Sequence, residues 1–161
     1  MIIVVMGVVG AGKTTIGRLL AERLHYEFAD ADNFHPKANV DKISRGIALS
    51  DNDRKPWLAR LRERILEWDA DHANAVLACS ALKRSYREEL QAGPDVRFVY
   101  LRGSADVITQ RLQERHGHFA GVSILASQIA DLEEPADAVT VDIAQTPPEI
   151  VAEIRQTLGL A

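Results

Sequence analysis

The sequence predicts an α/β domain in which a parallel β-sheet is covered by helices on both faces. Three observations predict it. Short apolar or β-branched runs alternate with segments of helical periodicity, and strands and helices in alternation pack as a parallel sheet between helical layers. The 161 residues suit one domain, large enough to bury a core without disulfides or a structural metal. Hydrophobic residues at 47% and charged residues at 26% exclude a disordered, collagen-like or membrane composition.

The first run, Ile2–Met6, lacks a basic leader and meets Gly7 at once. It is too short for a membrane span and unlike a secretion signal, so it reads as a buried strand. Ile16, Leu19, Leu20 and Leu24 then share one helical face, and Tyr26–Ala29 forms the second strand. Asp53 and Pro56 open a long helix with the stripe Leu58, Leu61, Ile65 and Trp68. Ala75–Cys79 is the third strand, Gly93-Pro94 closes the helix after it, and Arg97–Leu101 is the fourth strand. His116–Gly121 holds two glycines and little periodicity, which predicts a mobile surface loop. Ala138–Asp142 is the fifth strand, and Pro147-Pro148 starts a last helix on Ile150, Val151, Ile154 and Leu158. No repeat, low-complexity tract or linker interrupts this order, so residues 1–161 read as a single domain.

Charge and cysteine content narrow the functional classes. Nineteen Lys+Arg against 23 Asp+Glu leave a net charge of -4, which argues against a nucleic-acid partner but leaves room for a local cationic pocket. The lone Cys79 forbids an intrachain disulfide and a Cys-rich zinc site. It fits a reducing, cytoplasmic setting.

Gly7-Val8-Val9-Gly10-Ala11-Gly12-Lys13-Thr14 follows the first strand and is a full match to the G-x-x-x-x-G-K-[ST] phosphate-binding loop. Chance alone yields such a match in roughly 0.5% of chains of this length, before its strand-before and helix-after context is counted. Glycines let backbone N–H groups turn toward phosphate oxygens, and the helix opening at Lys13, Thr14 and Thr15 points its positive end at the same anion. Lys13 neutralises the terminal phosphates, and the Thr14 hydroxyl offers Mg²⁺ an oxygen. A nucleoside triphosphate site is expected from Gly7 to Thr15.

The third strand ends in Cys79-Ser80 rather than a metal-holding aspartate, so the acidic partner must lie elsewhere. Asp30-Ala31-Asp32 follows the second strand. In an extended segment its two carboxylates share one side, where one can order a metal-bound water and the other accept a proton from an attacking hydroxyl, against the alternative of a solvated strand-end pair. After the fourth strand comes Arg102-Gly103-Ser104-Ala105-Asp106 and not the N-K-x-D signature of a GTPase. Arg111 and Arg115 share one helical face ahead of the glycine-containing loop. They suit either a lid closing on phosphates or an ordinary exposed helix.

Several segments together resemble the bacterial-type gluconokinase family, small P-loop kinases similar in fold to shikimate and nucleoside monophosphate kinases. They are Asp30-Ala31-Asp32-Asn33-Phe34-His35-Pro36, Asp51-Asn52-Asp53-Arg54-Lys55-Pro56-Trp57-Leu58, Cys79–Arg87, Gly117-His118-Phe119 and Leu132-Glu133-Glu134-Pro135. The resemblance implies a P-loop kinase fold with five parallel strands in the order 2-3-1-4-5 and a lid segment at about residues 112–134. It also implies transfer of the ATP γ-phosphoryl group to the 6-hydroxyl of D-gluconate, and a homodimer. Asp32 becomes the substrate-hydroxyl contact and proton acceptor, Asp30 with Thr14 the Mg²⁺ partner, and Arg115 a catalytic lid charge. Two positions depart from the family pattern: Val9 where serine is common, and His116 where lysine is often seen.

Gluconate carries a carboxylate and a row of hydroxyls, so its pocket needs a cation and hydrogen-bonding groups. Arg54 and Lys83 are the candidate cations, against the alternative of surface ion pairs with Asp51, Asp53 or Glu88. His35 either hydrogen-bonds a sugar hydroxyl or packs at a helix entry. Trp57 and Trp68 are expected in the core, and Cys79 as an inert buried thiol. By similarity to related kinases, adenine lies near Arg111 and the turn Asp142–Pro147, where Thr146 also suits a helix cap. A kinase for another hydroxylated acid such as shikimate, and a nucleotide-dependent binding module, are the alternatives.

Overall fold

The computed structural model describes residues 1–114 and 119–160. Arg115, His116 and the Gly117-His118 pair discussed above lie outside the described residues.

Five strands, β1 (Ile2–Met6), β2 (Glu27–Asp30), β3 (Ala75–Ala78), β4 (Val96–Arg102) and β5 (Val139–Asp142), form one sheet in the order β2-β3-β1-β4-β5. Every pairing is parallel, as expected from the sequence. Around it lie α1 (Lys13–Leu24), α2 (Lys37–Ser44), α3 (Asp51–Ala70), α4 (Arg84–Leu90), α5 (Ala105–Glu114), α6 (Phe119–Asp131) and α7 (Pro147–Leu158).

Central β1 shows why the first run is apolar at every position. Successive side chains of a strand point to opposite faces. Ile3 and Val5 pack with Ile16, Leu20, Ile108 and Ile154 on one face. Ile2, Val4 and Met6 pack with Trp57, Leu61, Ile65 and Trp68 on the other. A strand between two cores has no solvent side, and each fully buried aliphatic side chain stabilises the fold by about 1.5–3 kcal/mol.

The parallel register places the strands' carboxyl ends along one edge. Ala78 pairs with both Val5 and Asp30, and Met6 pairs with Tyr100. Gly7, Asp30 and Cys79 therefore emerge together, beside the strand where the chain winds to opposite sides, which is where open α/β sheets bind ligands.

Two expectations are corrected. The helix containing Pro56 begins at Asp51, before the Asp53–Pro56 signal, because Ser50 caps it. The Ser50 hydroxyl accepts from the Asp53 N–H at 3.1 Å and Asp53 Oδ2 accepts from the Ser50 N–H at 2.9 Å. Within the loop assigned to residues 116–121, Phe119–Gly121 are helical and open α6. One glycine costs a helix only about 1 kcal/mol, which burial of Ile124 and Leu125 offsets.

Candidate active site

The P-loop closes tightly between β1 and α1. Gly10 (φ 82°) and Gly12 (φ 97°) take left-handed backbone conformations, which cost other residues about 1–2 kcal/mol. A Cβ on Gly10 would stand 2.9 Å from the Leu112 side chain of α5, so the loop also needs glycine for close packing. Lys13 Nζ donates to the Val8 carbonyl at 3.0 Å, across the loop that precedes it. Burial lowers the Lys13 pKa, against the opposing pull of Asp32 and Asp30.

Asp30 joins this loop to the end of β2. Its Oδ2 accepts from the Thr14 hydroxyl at 2.8 Å and its Oδ1 from the Asp32 N–H at 2.9 Å. The second bond caps a 3-10 turn over Ala31–Phe34, so Asp32 is not on an extended segment as its spacing from Asp30 suggests. The turn, not strand alternation, aims Asp32 at the cleft. Asp32 opens to solvent at the cleft mouth, yet enough protein surrounds its carboxyl that desolvation, then the Asp30 charge, raises its pKa, with Lys13 opposing.

Lys13, Thr14 and Asp32 line a cavity of about 250 Å³ together with His35, Arg54, Trp57 and Ser80. Pro36 holds His35 extended, at φ −69° and ψ 137°. Its ring stacks on Trp57 at 4.4 Å, and Nδ1 lies 3.1 Å from the Asn39 amide nitrogen. Trp57 is 2% exposed and donates from its indole N–H to the Ala31 carbonyl at 2.7 Å. It is thus both a core residue, as expected, and the support of the His35 wall. Burial first, then the Arg54 charge, lowers the His35 pKa to about 4, so the ring is neutral at pH 7.

Arg54 is only 6% exposed. Its Nη1 donates to Tyr86 Oη at 2.9 Å and to Asp131 Oδ2 at 2.9 Å. Among the described residues Nε and Nη2 make no hydrogen bond, and Arg54 lines the cavity. Burial alone would lower the Arg54 pKa, but the bonds to Tyr86 and Asp131 outweigh it and raise it. Lys83 instead pairs with Asp51 at 2.9 Å and does not line the cavity. Burial pushes the Cys79 thiol up to about 12, matching an inert core residue.

The shikimate kinase family model matches residues 9–159 of this chain. The gluconokinase of Gluconobacter oxydans is 50% identical over 137 residues, covering 84% of this chain and 76% of that protein. The thermoresistant gluconokinase of Escherichia coli is 40% identical over 156 residues, covering 94% and 89%. The crystal structure of a gluconokinase from Sinorhizobium meliloti superposes with a TM-score of 0.89 at 44% identity, covering 98% of this chain and 90% of that one. The chain belongs to the gluconokinase family.

In this gluconokinase-family chain a second cavity, of about 290 Å³, lies across the P-loop from the first. Ala11, Gly12 and Thr15 form one wall and Arg111, Ile143 and Gln145 another. Arg111 is held there by a bond from Nη2 to the Ile143 carbonyl at 2.8 Å. Thr146 caps α7 by accepting from the Glu149 N–H at 3.4 Å, as its place before Pro147 suggests. Gln128, Ser127 and Ile124 of α6 also line the first cavity, and Asp131 of the same helix is the partner of Arg54; no motif in the sequence marks them. Their only local signal was helical periodicity.

Proposed function

We infer that this protein is an ATP-dependent gluconokinase. It transfers the γ-phosphoryl group of ATP to the 6-hydroxyl of D-gluconate and releases 6-phospho-D-gluconate and ADP. The observation that carries the inference is the direct link from phosphate loop to acid: Asp30 bonds both Thr14 and the turn that presents Asp32 to the cavity.

The amides of Gly7 to Thr15 and the Lys13 ammonium hold the phosphates, while the cavity beside Arg111 receives adenine. Asp32 takes the proton of the acceptor hydroxyl as the new O–P bond forms and the bond to the ADP oxygen breaks. Desolvation and the Asp30 charge raise its pKa, which makes it a stronger base than an ordinary aspartate. The free edge of Arg54 grips the gluconate carboxylate, and neutral His35 hydrogen-bonds a sugar hydroxyl. Lys83 acts on the substrate only through Asp51 and Tyr86, and Arg115 completes the charge around the migrating group. Phosphoryl transfer asks for little beyond this positioning and electrostatic support.

Thr14 Oγ1 and the Asp30 carboxylate suit Mg²⁺, being hard oxygen donors beside the phosphate cradle. Among the described residues no cluster of three or more His, Cys, Asp or Glu is placed to hold a metal. When bound, Mg²⁺ neutralises charge on the β- and γ-phosphates.

A cytoplasmic homodimer is part of the same inference, and light scattering on the purified protein tests the dimer. No helix among the described residues is long and apolar enough to cross a membrane. An ADP-release assay with gluconate, with shikimate and with no acceptor tests the activity. Turnover should depend on gluconate; shikimate-dependent or acceptor-independent turnover would overturn the assignment.

A further inference from the structure

One side chain of α6 already occupies part of the phosphate cradle. Gln128 Oε1 accepts a hydrogen bond from the Val9 N–H at 2.7 Å, across 119 residues of sequence. Neighbouring contacts fix the helix there. Ile124 and Leu125 are buried, Asp131 accepts from Arg54, and the Glu133 N–H donates to the Leu82 carbonyl at 2.9 Å. Gln128 is therefore held against the loop by packing on both sides of it along the helix.

The Val9 amide has one hydrogen to give. A phosphate oxygen and the Gln128 carboxamide cannot both take it in a linear bond. Lys13 likewise gives one of its three N–H donors to the loop, at the Val8 carbonyl. We propose that Gln128 is a built-in competitor of the nucleotide: its carboxamide oxygen holds the Val9 amide until an ATP phosphate displaces it. The neutral side chain is suited to yielding, because a hydrogen bond to a charged phosphate oxygen is about twice as strong as one to a neutral carbonyl. The proposal rests on the kinase assignment above and adds a residue that sets nucleotide affinity.

Titration calorimetry of the full chain with Mg²⁺ and a non-hydrolysable ATP analogue, without gluconate, tests it. Gln128→Leu and Gln128→Ala should each bind the analogue about threefold to tenfold more tightly than the unmodified protein, the yield of one neutral hydrogen bond no longer broken. Gln128→Glu, which places a full anion in the cradle, should bind it more weakly. Unchanged or weaker binding by both neutral variants would overturn the proposal. A lower melting temperature with unmoved affinity would overturn it as well, since that pattern marks a purely structural contact. If the unmodified protein binds no analogue, the kinase assignment fails and takes the proposal with it.

Discussion

The Thr14 hydroxyl donates to Asp30 Oδ2 at 2.8 Å, tying the first turn of α1 to the end of β2. Because the other oxygen of the same carboxylate accepts from the Asp32 N–H, the position of Asp32 is set relative to the phosphate cradle and not to its own loop alone. Small shifts in this chain of contacts would misplace Asp32, the proposed proton acceptor, and misplacement by about 1 Å can cost about a hundredfold in rate.

Asp32→Asn should therefore lower kcat by about 10²–10⁴-fold, as loss of a positioned proton acceptor does, while leaving the fold intact. The raised pKa of Asp32 also gives a stability effect. A carboxyl whose folded pKa exceeds its unfolded value contributes stability that is present below the unfolded pKa and lost as pH rises through the folded one. Asparagine does not ionise. Thermal melts should show the variant more stable than the parent at pH 7, with the gain vanishing in acid; a less stable variant at pH 7 would refute the account.

His35 predicts an acid-side loss of stability. Its pKa falls from the ordinary 6.5 to about 4 through burial and, second, the Arg54 charge. The unfolded chain thus binds a proton the folded chain refuses, and stability declines as pH drops from about 6.5 toward about 4. Urea midpoints measured across that window should slope for the parent and flatten for His35→Gln.

Arg54→Ala removes both the proposed ligand for the gluconate carboxylate and the partner of Asp131 and Tyr86. Gluconate KM should rise about tenfold or more with kcat largely retained, since a non-reacting end of the substrate loses its grip. Unfolding free energy should drop by about 2–3 kcal/mol, less than for a fully buried pair because Asp131 keeps contact with water. Steady-state kinetics and denaturant titration check the two halves separately; an unchanged KM would remove Arg54 from the substrate site.

Gly10→Ala meets two obstacles, the left-handed φ of 82° and the Leu112 side chain 2.9 Å from the new Cβ. Together they should destabilise the protein by about 2–4 kcal/mol and weaken nucleotide binding, as the loop re-forms with its amides misdirected. Chemical denaturation and nucleotide titration that both return parental values would show the loop to be tolerant there.

The features legible beforehand were those encoded within a few residues of one another. The phosphate loop works through consecutive amides, Thr146 and Pro147 mark a helix start, and the apolar runs between them alternate as a parallel sheet requires. Asp30 and Asp32 were visible as a pair, but strand alternation was the wrong reason for their common aim; a 3-10 turn supplies it. Phe119–Gly121 read as loop because glycine punctuation outweighs periodicity in so short a stretch, whereas burial of the following residues decides for helix.

By itself, then, the order of amino acids determined the architecture, the nucleotide loop and the motif segments that point to gluconate, because each depends on local backbone preference or on residue types at fixed spacing. Only the tertiary structure decided that Arg54 meets Asp131, that Lys83 turns to Asp51, and that Gln128 reaches Val9. Those outcomes depend on how helices dock across the sheet, and pairings between residues tens of positions apart leave no periodic trace in the chain.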